Sequence, residues 1–166
     1  MKYVSKYNSP IGEITMASDG ENLTGLWFDS QKYFGGSGDI DNSVIKELSV
    51  FEETKKWLDI YFKGDKTDFI PCIKPSGTDF QMAVWDILLN IPYGEVMTYK
   101  DIACRMAQKK GIEHMSAQAV GGAVGHNPIS IIVPCHRVIG SDGSLTGYAG
   151  GLDKKEYLLK LEKALG

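Results

Sequence analysis

A thiol beside a proton acceptor and a cation lies in the run Pro134-Cys135-His136-Arg137-Val138. A free thiol titrates near pH ~8.5, so a nucleophilic cysteine needs a base, a cation or a helix N-terminus beside it. His136 and Arg137 are a base and a cation of this kind. The alternative is a buried structural cysteine, because free cysteines are among the most buried side chains. These five residues alone leave both interpretations open.

The elements around this thiol place it at the end of a buried segment. The apolar run 129–133 predicts a buried strand or extended segment, and Pro134 stops it directly before Cys135. A Gly-rich loop over 140–151 follows. The apolar positions of a last helix then recur at Leu152, Tyr157, Leu158, Leu161 and Leu165.

Two helices upstream of the thiol are predicted from their capping residues. Thr98 with Asp101 three positions later resembles a capping box, which begins a helix through residue 110. Ser116 can cap a second, short helix from Ala117 to about Val124. The pattern is that of a helix-turn-helix.

The first half of the chain has a different pattern. Strand-like segments at 3–7, 13–17 and 23–28 are separated by turn residues and predict a small antiparallel sheet. Apolar residues at helical spacing over 44–62 predict a helix, which follows a polar, Gly-rich loop at 31–39.

Pro71 and Pro75 indicate a boundary between the two halves. We therefore predict an α+β protein with a sheet-and-helix domain at 1–75 and a mostly helical domain at 76–166. The second domain opens with an amphipathic helix capped by Thr78.

Composition limits the class of protein. A chain of 166 residues that is 43% hydrophobic can bury a core without disulfides or metals. Its net charge of -3 does not indicate a polyanionic partner, so any prediction of DNA binding must rest on motifs. Three widely spaced cysteines, no apolar leader and no run of membrane-spanning length predict a cytoplasmic protein. The histidines show no ligand spacing with the cysteines, so we predict no metal and no cofactor.

The stretch Ile131-Ile132-Val133-Pro134-Cys135-His136-Arg137-Val138-Ile139-Gly140 resembles the O6-alkylguanine-DNA alkyltransferase family. The resemblance continues in order over residues 78–165. The matching motifs are Trp85, Ile91-Pro92-Tyr93-Gly94-Glu95, Thr98-Tyr99, Ala119-Val120-Gly121-Gly122-Ala123, Asn127-Pro128, Gly147-Tyr148-Ala149-Gly150-Gly151, Lys155-Glu156 and Leu158-Leu159. The first half resembles the family only in length and strand-rich character, and the resemblance implies a ribonuclease-H-like domain there.

The resemblance implies a monomeric DNA-repair protein that binds double-stranded DNA containing O6-alkylguanine. It would transfer the alkyl group once and irreversibly to its own cysteine, with O4-alkylthymine as a further candidate substrate. The family pattern assigns Cys135 as the acceptor and His136 as the water-linked base, with Glu162 orienting that histidine. Alternatively, Glu162 is a solvated helix charge and His136 bonds a backbone carbonyl.

Three further roles follow from the same resemblance. Asn127 matches an asparagine that ties the helix-turn-helix to the active-site segment, although an Asn before Pro is commonly a turn former. Tyr99 matches a tyrosine that helps to rotate the target nucleotide, against the alternative of helix-start packing. Tyr148 and Ala149 match the loop that closes over the guanine, with Ala149 where many members have serine.

The second helix of the helix-turn-helix enters the minor groove in this family. Gly121 and Gly122 remove side-chain bulk there, although small residues also suit tight helix packing. Gln118 stands where many members carry an arginine that fills the space of the rotated base, and glutamine lacks its charge and planar surface. The predicted DNA- or substrate-contacting residues are Tyr99, Gln118, Ala119, Gly121, Gly122, Arg137, Val138, Tyr148 and Ala149.

Two other functions are compatible with a fold of this kind. A non-catalytic, alkyltransferase-like lesion-binding protein would share the helix-turn-helix, but such relatives replace the acceptor cysteine that this chain retains. A Cys-His hydrolase would need water to attack an acyl-enzyme, and the DNA-binding resemblance beside Cys135 argues against it.

Overall fold

The computed structural model describes residues 2–29, 44–145, 147–148 and 150–164. The chain divides into two compact units, Met1–Ser76 with Pro128–Ser130, and Gly77–Asn127 with Ile131–Gly166. The boundary predicted after residue 75 lies one residue from this division. The sequence did not indicate that segment 128–130 belongs with the first unit.

A four-stranded sheet forms the basis of the first unit. Its strands are β1 Tyr3–Ser9, β2 Gly12–Ser18, β3 Leu23–Phe28 and β4 Val44–Ile45, in the order β3-β2-β1-β4. β1, β2 and β3 pair antiparallel. β4 pairs in parallel with β1, so the sheet is mixed where the sequence predicted an antiparallel one.

Helix α1, Ser49–Phe62, also belongs to the first unit. The helix predicted from residue 44 begins later, because the β-branched pair Val44 and Ile45 forms β4 and Leu48 is the N-cap. Its buried side chains are Val50, Phe51, Thr54, Trp57, Leu58 and Tyr61. The loop predicted at 31–39 lies outside the described residues.

The second unit is mostly helical, as predicted. Its helices are α2 Asp79–Leu89, α3 Tyr99–Lys110, α4 Ala117–Gly125 and α5 Leu152–Leu161, joined by the short strands β5 Met97–Thr98 and β6 Val138–Ile139. A 3₁₀ turn spans Cys135–Arg137. β5 and β6 pair in parallel and bring the start of α3 beside the end of this turn. Across the described residues, none of the helices has the length and apolar character needed to cross a membrane.

The predicted helix-turn-helix is confirmed as α3 and α4. Thr98 and Asp101 form a reciprocal capping box, and Gly111 ends α3 in the left-handed conformation with φ +67°. The Ser116 hydroxyl accepts the Ala119 N–H at the start of α4. These local signals explain why the sequence placed both helices correctly.

The segment before Cys135 differs from the strand predicted at 129–133. Ile129 makes only an isolated bridge to Leu26, where the Leu26 N–H donates to Pro128 O at 2.8 Å. Ile131 then turns the chain with φ +69°, a conformation that β-branched residues rarely adopt. The run is fully buried, and an apolar run indicates burial without distinguishing a strand from a buried turn.

Candidate active site

The Cys135 thiol opens the 3₁₀ turn and is 5% exposed. The Arg137 N–H donates to Pro134 O at 3.0 Å and closes the turn. Burial raises the pKa of the Cys135 thiol, whereas a hydrogen bond from Asn127 and the positive charge of Lys155 lower it by less. The resting thiol is therefore protonated and needs a proton acceptor to become nucleophilic.

Asn127 links the end of α4 to the segment that contains Val133 and Cys135. It lies two residues after the end of α4, is 3% exposed, and its Nδ2 donates to Val133 O at 2.8 Å. The same side chain hydrogen-bonds the Cys135 thiol. The geometry is that of a tether between the helix-turn-helix and the thiol.

His136 and Glu162 form a fully buried pair beside the thiol. His136 Nε2 lies 2.6 Å from Glu162 Oε2, and neither side chain is exposed. Burial would raise the pKa of Glu162, but hydrogen bonds and charges from His136 and Arg137 outweigh it and lower the pKa to about 2. Burial, together with the positive charges of Arg137 and Lys155, lowers the pKa of His136 against the raising effect of Glu162. The pair at neutral pH is thus a carboxylate that orients a neutral imidazole.

The position of Glu162 explains its burial. It is the C-cap of α5, four residues after buried Leu158, and its Oε1 also accepts the Gly94 N–H at 3.1 Å. A carboxylate with several N–H donors can remain ionised in the interior. The solvated helix charge that the sequence allowed is excluded by this geometry.

Arg137 faces inward, whereas the sequence assigned it to the DNA surface. Its Nε donates to Glu162 Oε1 at 2.8 Å and its Nη2 to Glu162 Oε2 at 3.2 Å, a bidentate pair. Its Nη1 donates to Ile91 O at 2.7 Å. The guanidinium therefore holds Glu162, because the acidic partner that attracts it lies in the interior.

Lys155 is a site residue to which the sequence analysis assigned no role. It lies in α5 with no exposed surface, and its Nζ donates to Val138 O and lies 5.8 Å from the centre of the Tyr99 ring. Burial lowers the pKa of Lys155 to about 8, against the opposing effect of Cys135. Lys155 lies three residues before Leu158 and so on the apolar face of the helix. A lysine is seldom buried unless it is paired, so this spacing could have indicated a site role.

These six residues form one group, which we call the acceptor cluster. Its members are Asn127, Cys135, His136, Arg137, Lys155 and Glu162. Val138, predicted to contact substrate, is itself buried and joins the cluster through its backbone carbonyl.

Tyr99 lies between α4 and the Gly-rich loop. Its hydroxyl donates to Gly147 O at 3.4 Å, and a Cβ added at Gly121 would lie 3.8 Å from its ring. Gly147 has φ +67°, and a side chain there would press on the tyrosine hydroxyl. Tyr148 is 8% exposed, and Ala149 lies outside the described residues.

One face of α4 is exposed and carries little side-chain bulk. It consists of Ala117, Gln118, Ala119 and Gly122, which we call the recognition face. The opposite face is anchored to α2, because Trp85 Nε1 donates to Ala123 O at 2.9 Å. A Cβ on Gly122 would meet nothing within 4 Å, and one on Gly121 would make only an ordinary contact. Packing within the chain therefore does not explain these two glycines.

Comparison with known proteins identifies the family of the chain. Residues 79–164 match the DNA-binding domain of 6-O-methylguanine DNA methyltransferase, and residues 2–71 match its ribonuclease-like domain. The chain belongs to the 6-O-methylguanine DNA methyltransferase family. The match to residues 2–71 extends the resemblance to the first half, where the motifs alone carried little of it.

Curated relatives of the family match almost the whole chain. Methylated-DNA–protein-cysteine methyltransferase of Haemophilus influenzae is 44% identical over 163 residues, which cover 97% of this chain and 86% of that protein. The protein of the same name from Methanosarcina acetivorans is also 44% identical, covering 96% and 97% of the two chains.

Solved structures of the family share the fold. The crystal structure of Mycobacterium tuberculosis O6-methylguanine methyltransferase has a TM-score of 0.84 at 43% identity, covering 99% of this chain and 94% of that chain. Mycobacterium tuberculosis OGT in complex with DNA has a TM-score of 0.82 at 42% identity, covering 98% and 93%.

Proposed function

We propose that Cys135 is the residue that accepts the alkyl group in this family member. The family activity is DNA repair by transfer of a methyl or other alkyl group from O6 of guanine to a cysteine of the protein itself. The observation that carries the assignment is the buried His136–Glu162 pair at 2.6 Å, next in sequence to a buried thiol. Cys135 alone in the described structure combines a thiol with such a pair, because Cys72 and Cys104 are exposed.

The reaction needs one proton acceptor and no cofactor. The Cys135 proton passes to His136, directly or through water, and Glu162 stabilises the imidazolium that forms. Sulfur then forms a bond to the alkyl carbon while the bond from that carbon to O6 breaks. The electron pair of the broken bond stays on guanine, which takes up a proton. The resulting thioether has no route back to the thiol, so each molecule reacts once.

Lys155 supports the charged form of the thiol. A thiolate is poorly stabilised in a buried site unless positive charge or hydrogen-bond donors face it. Lys155 contributes the charge and Asn127 the donor, and both effects lower the pKa of Cys135. The thiol is thus protonated at rest while the site is built to receive the thiolate during transfer.

The recognition face of α4 is the part of the helix-turn-helix that we assign to the minor groove. Exposed residues without bulk let a helix backbone approach DNA closely, and neither Gly121 nor Gly122 is needed for packing within the chain. Gln118 projects from this face and is the residue that we assign to the space of the rotated base. We assign Tyr99 and Tyr148 to the nucleotide itself.

The cell compartment and assembly state follow from less specific features. Its three cysteines are free thiols, which suits a reducing compartment. We therefore place the protein in the cytoplasm. We also propose that it acts as a monomer on double-stranded DNA.

We assign two domains to the chain, a ribonuclease-H-like domain at residues 1–75 and a DNA-binding domain at residues 76–166.

Mass spectrometry after incubation with O6-methylguanine DNA tests the assignment. We expect one added methyl group per molecule, located on Cys135, with saturation at one equivalent. The matched control is Cys104→Ser, which should react like the unaltered protein, whereas Cys135→Ser should gain no methyl group. A methyl group on Cys72 or Cys104, or none at all, would contradict the assignment.

A further inference from the structure

The buried charges of the acceptor cluster meet on one carboxylate. Glu162 receives the His136 ring on Oε2 and the Arg137 guanidinium on both oxygens. When the His136 ring is neutral, the negative charge of Glu162 and the positive charge of Arg137 cancel, and these three side chains carry no net charge. When the ring is protonated, the group carries one positive charge in the protein interior.

With the guanidinium present, the neutral ring is therefore favoured. Removal of the guanidinium would favour the protonated ring instead. The carboxylate and a neutral ring would then carry one uncompensated negative charge, and protonation of the ring would remove it. A buried uncompensated charge is strongly disfavoured, so the pair would hold a proton as imidazolium and carboxylate. An imidazolium cannot accept the proton of the Cys135 thiol.

The other charges that face His136 do not replace Arg137. Burial lowers the pKa of His136, Glu162 raises it, and Arg137 and Lys155 both lower it. Lys155, however, bonds the Val138 carbonyl and not the carboxylate. Cys135, the remaining titratable neighbour, is neutral at rest because burial raises its pKa.

We propose that Arg137 is a positioning residue that holds the Glu162 carboxylate and neutralises its charge, so that His136 stays a neutral proton acceptor. Glu162 then orients the His136 ring, and the ring stays unprotonated until the alkylated DNA binds. This role rests on the proposed function of Cys135. It differs from a DNA contact, because the guanidinium acts through Glu162 and is directed away from the solvent.

The first test uses the unaltered protein without DNA. Imidazole NMR shifts of labelled histidine report protonation, and the buried His136 signal is identified by its loss in His136→Gln. We expect His136 to be neutral at pH 7, with a midpoint below the ordinary value of about 6.5. A protonated His136 at pH 7 would overturn the proposal. Methyl transfer does not enter this measurement, so it separates failure of the inference from failure of the proposed function.

The second test compares Arg137→Gln with Arg137→Lys. Glutamine keeps a hydrogen-bond donor and removes the charge, so the His136 midpoint should rise by about one pH unit or more, a tenfold change in the imidazolium ratio. The single-turnover transfer rate should fall by a similar factor at acid pH and recover at higher pH. Arg137→Lys should restore both midpoint and profile, and Lys56→Gln, which removes an exposed charge in α1, should change neither.

Two results would contradict the inference. One is an unmoved His136 midpoint in Arg137→Gln with a rate reduced equally at every pH, which is the behaviour of a purely structural residue. The other is a midpoint in Arg137→Lys shifted as far as in a charge-free variant. If Arg137→Gln does not fold, a His136 that is protonated at pH 7 in the unaltered protein, or a His136 midpoint raised by about one pH unit in Arg137→Lys, still contradicts the inference.

Discussion

The acceptor cluster and the recognition face lie in the same unit and are built in opposite ways. In the cluster, every charged or polar side chain is buried and bonded to another residue of the chain. On the recognition face, side chains are small or uncharged and exposed, and a Cβ added at Gly122 would meet nothing within 4 Å. Under the proposed function, the groups for the chemistry are in place before DNA binds, whereas DNA completes the recognition.

This difference has a physical cause. Transfer of a proton between buried groups depends on fixed distances and on electrostatic interactions that water would weaken. The cluster is therefore buried and its charges are paired. Groove binding depends on how closely two backbones approach, so absence of bulk is the useful property there. Substitutions in the two regions should therefore fail in different ways.

The largest effect should come from loss of the proton acceptor. His136→Gln keeps a donor for Glu162 and removes the base, so the single-turnover rate of methyl transfer should fall on the order of 10²–10³-fold. DNA affinity should remain within about twofold, because the recognition face is unaltered. Rapid-quench measurement of transfer and a separate binding titration would check this. Equal losses in rate and affinity would break the distinction between the two regions.

Acid should destabilise the cluster in two stages. The folded pKa of His136 lies below 6.5 and that of Glu162, at about 2, lies below 4.5, so the unfolded chain binds more protons than the folded one. Stability is full above pH 6.5, falls as His136 titrates in the unfolded state, and falls again below pH 4.5.

The second stage amounts to at most roughly 3.5 kcal/mol, since each pKa unit corresponds to about 1.4 kcal/mol and the Glu162 pKa falls from 4.5 to about 2. Urea unfolding across pH 7 to 3 measures it. Glu162→Gln should flatten the fall below pH 4.5. Glu47→Gln should leave most of it, since the Glu47 pKa is also lowered but its carboxylate is exposed. An equal flattening by both would show that the buried pair is not its source.

A bulky residue at Gly122 should affect binding alone. Gly122→Leu should keep or raise the melting temperature, because its Cβ meets no neighbour and leucine favours a helix more than glycine does. DNA affinity should fall by about tenfold or more, since the added side chain holds the helix away from the groove. Thermal unfolding and fluorescence anisotropy on one preparation would separate the two effects. A lower melting temperature with unchanged affinity would show that the glycine serves packing.

The smallest effect concerns Gln118. Gln118→Arg should raise DNA affinity by a few-fold and steepen the dependence of log affinity on log salt by about 1 at most, because arginine adds a charge and a planar surface. Binding measured at several salt concentrations tests this. The control Gln108→Arg adds the same charge at an exposed position of α3. An equal gain in DNA affinity there would show that net charge alone causes the effect. An unchanged slope and affinity in Gln118→Arg would contradict the prediction outright.

Local signals account for the elements that the sequence predicted well. The capping box at Thr98 and the Ser116 cap involve residues within three positions of each other, so they are visible without the fold. β4 and the turn at Ile131 were missed for the opposite reason. β4 pairs with β1, and Ile129, two residues before the turn, bridges to Leu26 of β3, so both depend on strands that are distant in sequence.

By itself, the sequence determined the helix-turn-helix and the family, and it predicted the thiol and the histidine that we propose as acceptor and base, because motif spacing and capping are properties of neighbouring residues. Only the tertiary structure decided what Arg137 and Lys155 do. A cation in a sequence has no partner until folding brings one to it, and here folding brings Glu162 from the end of α5 to Arg137 and the Val138 carbonyl to Lys155. Burial then determines the charge states of the thiol and imidazole, which no motif records.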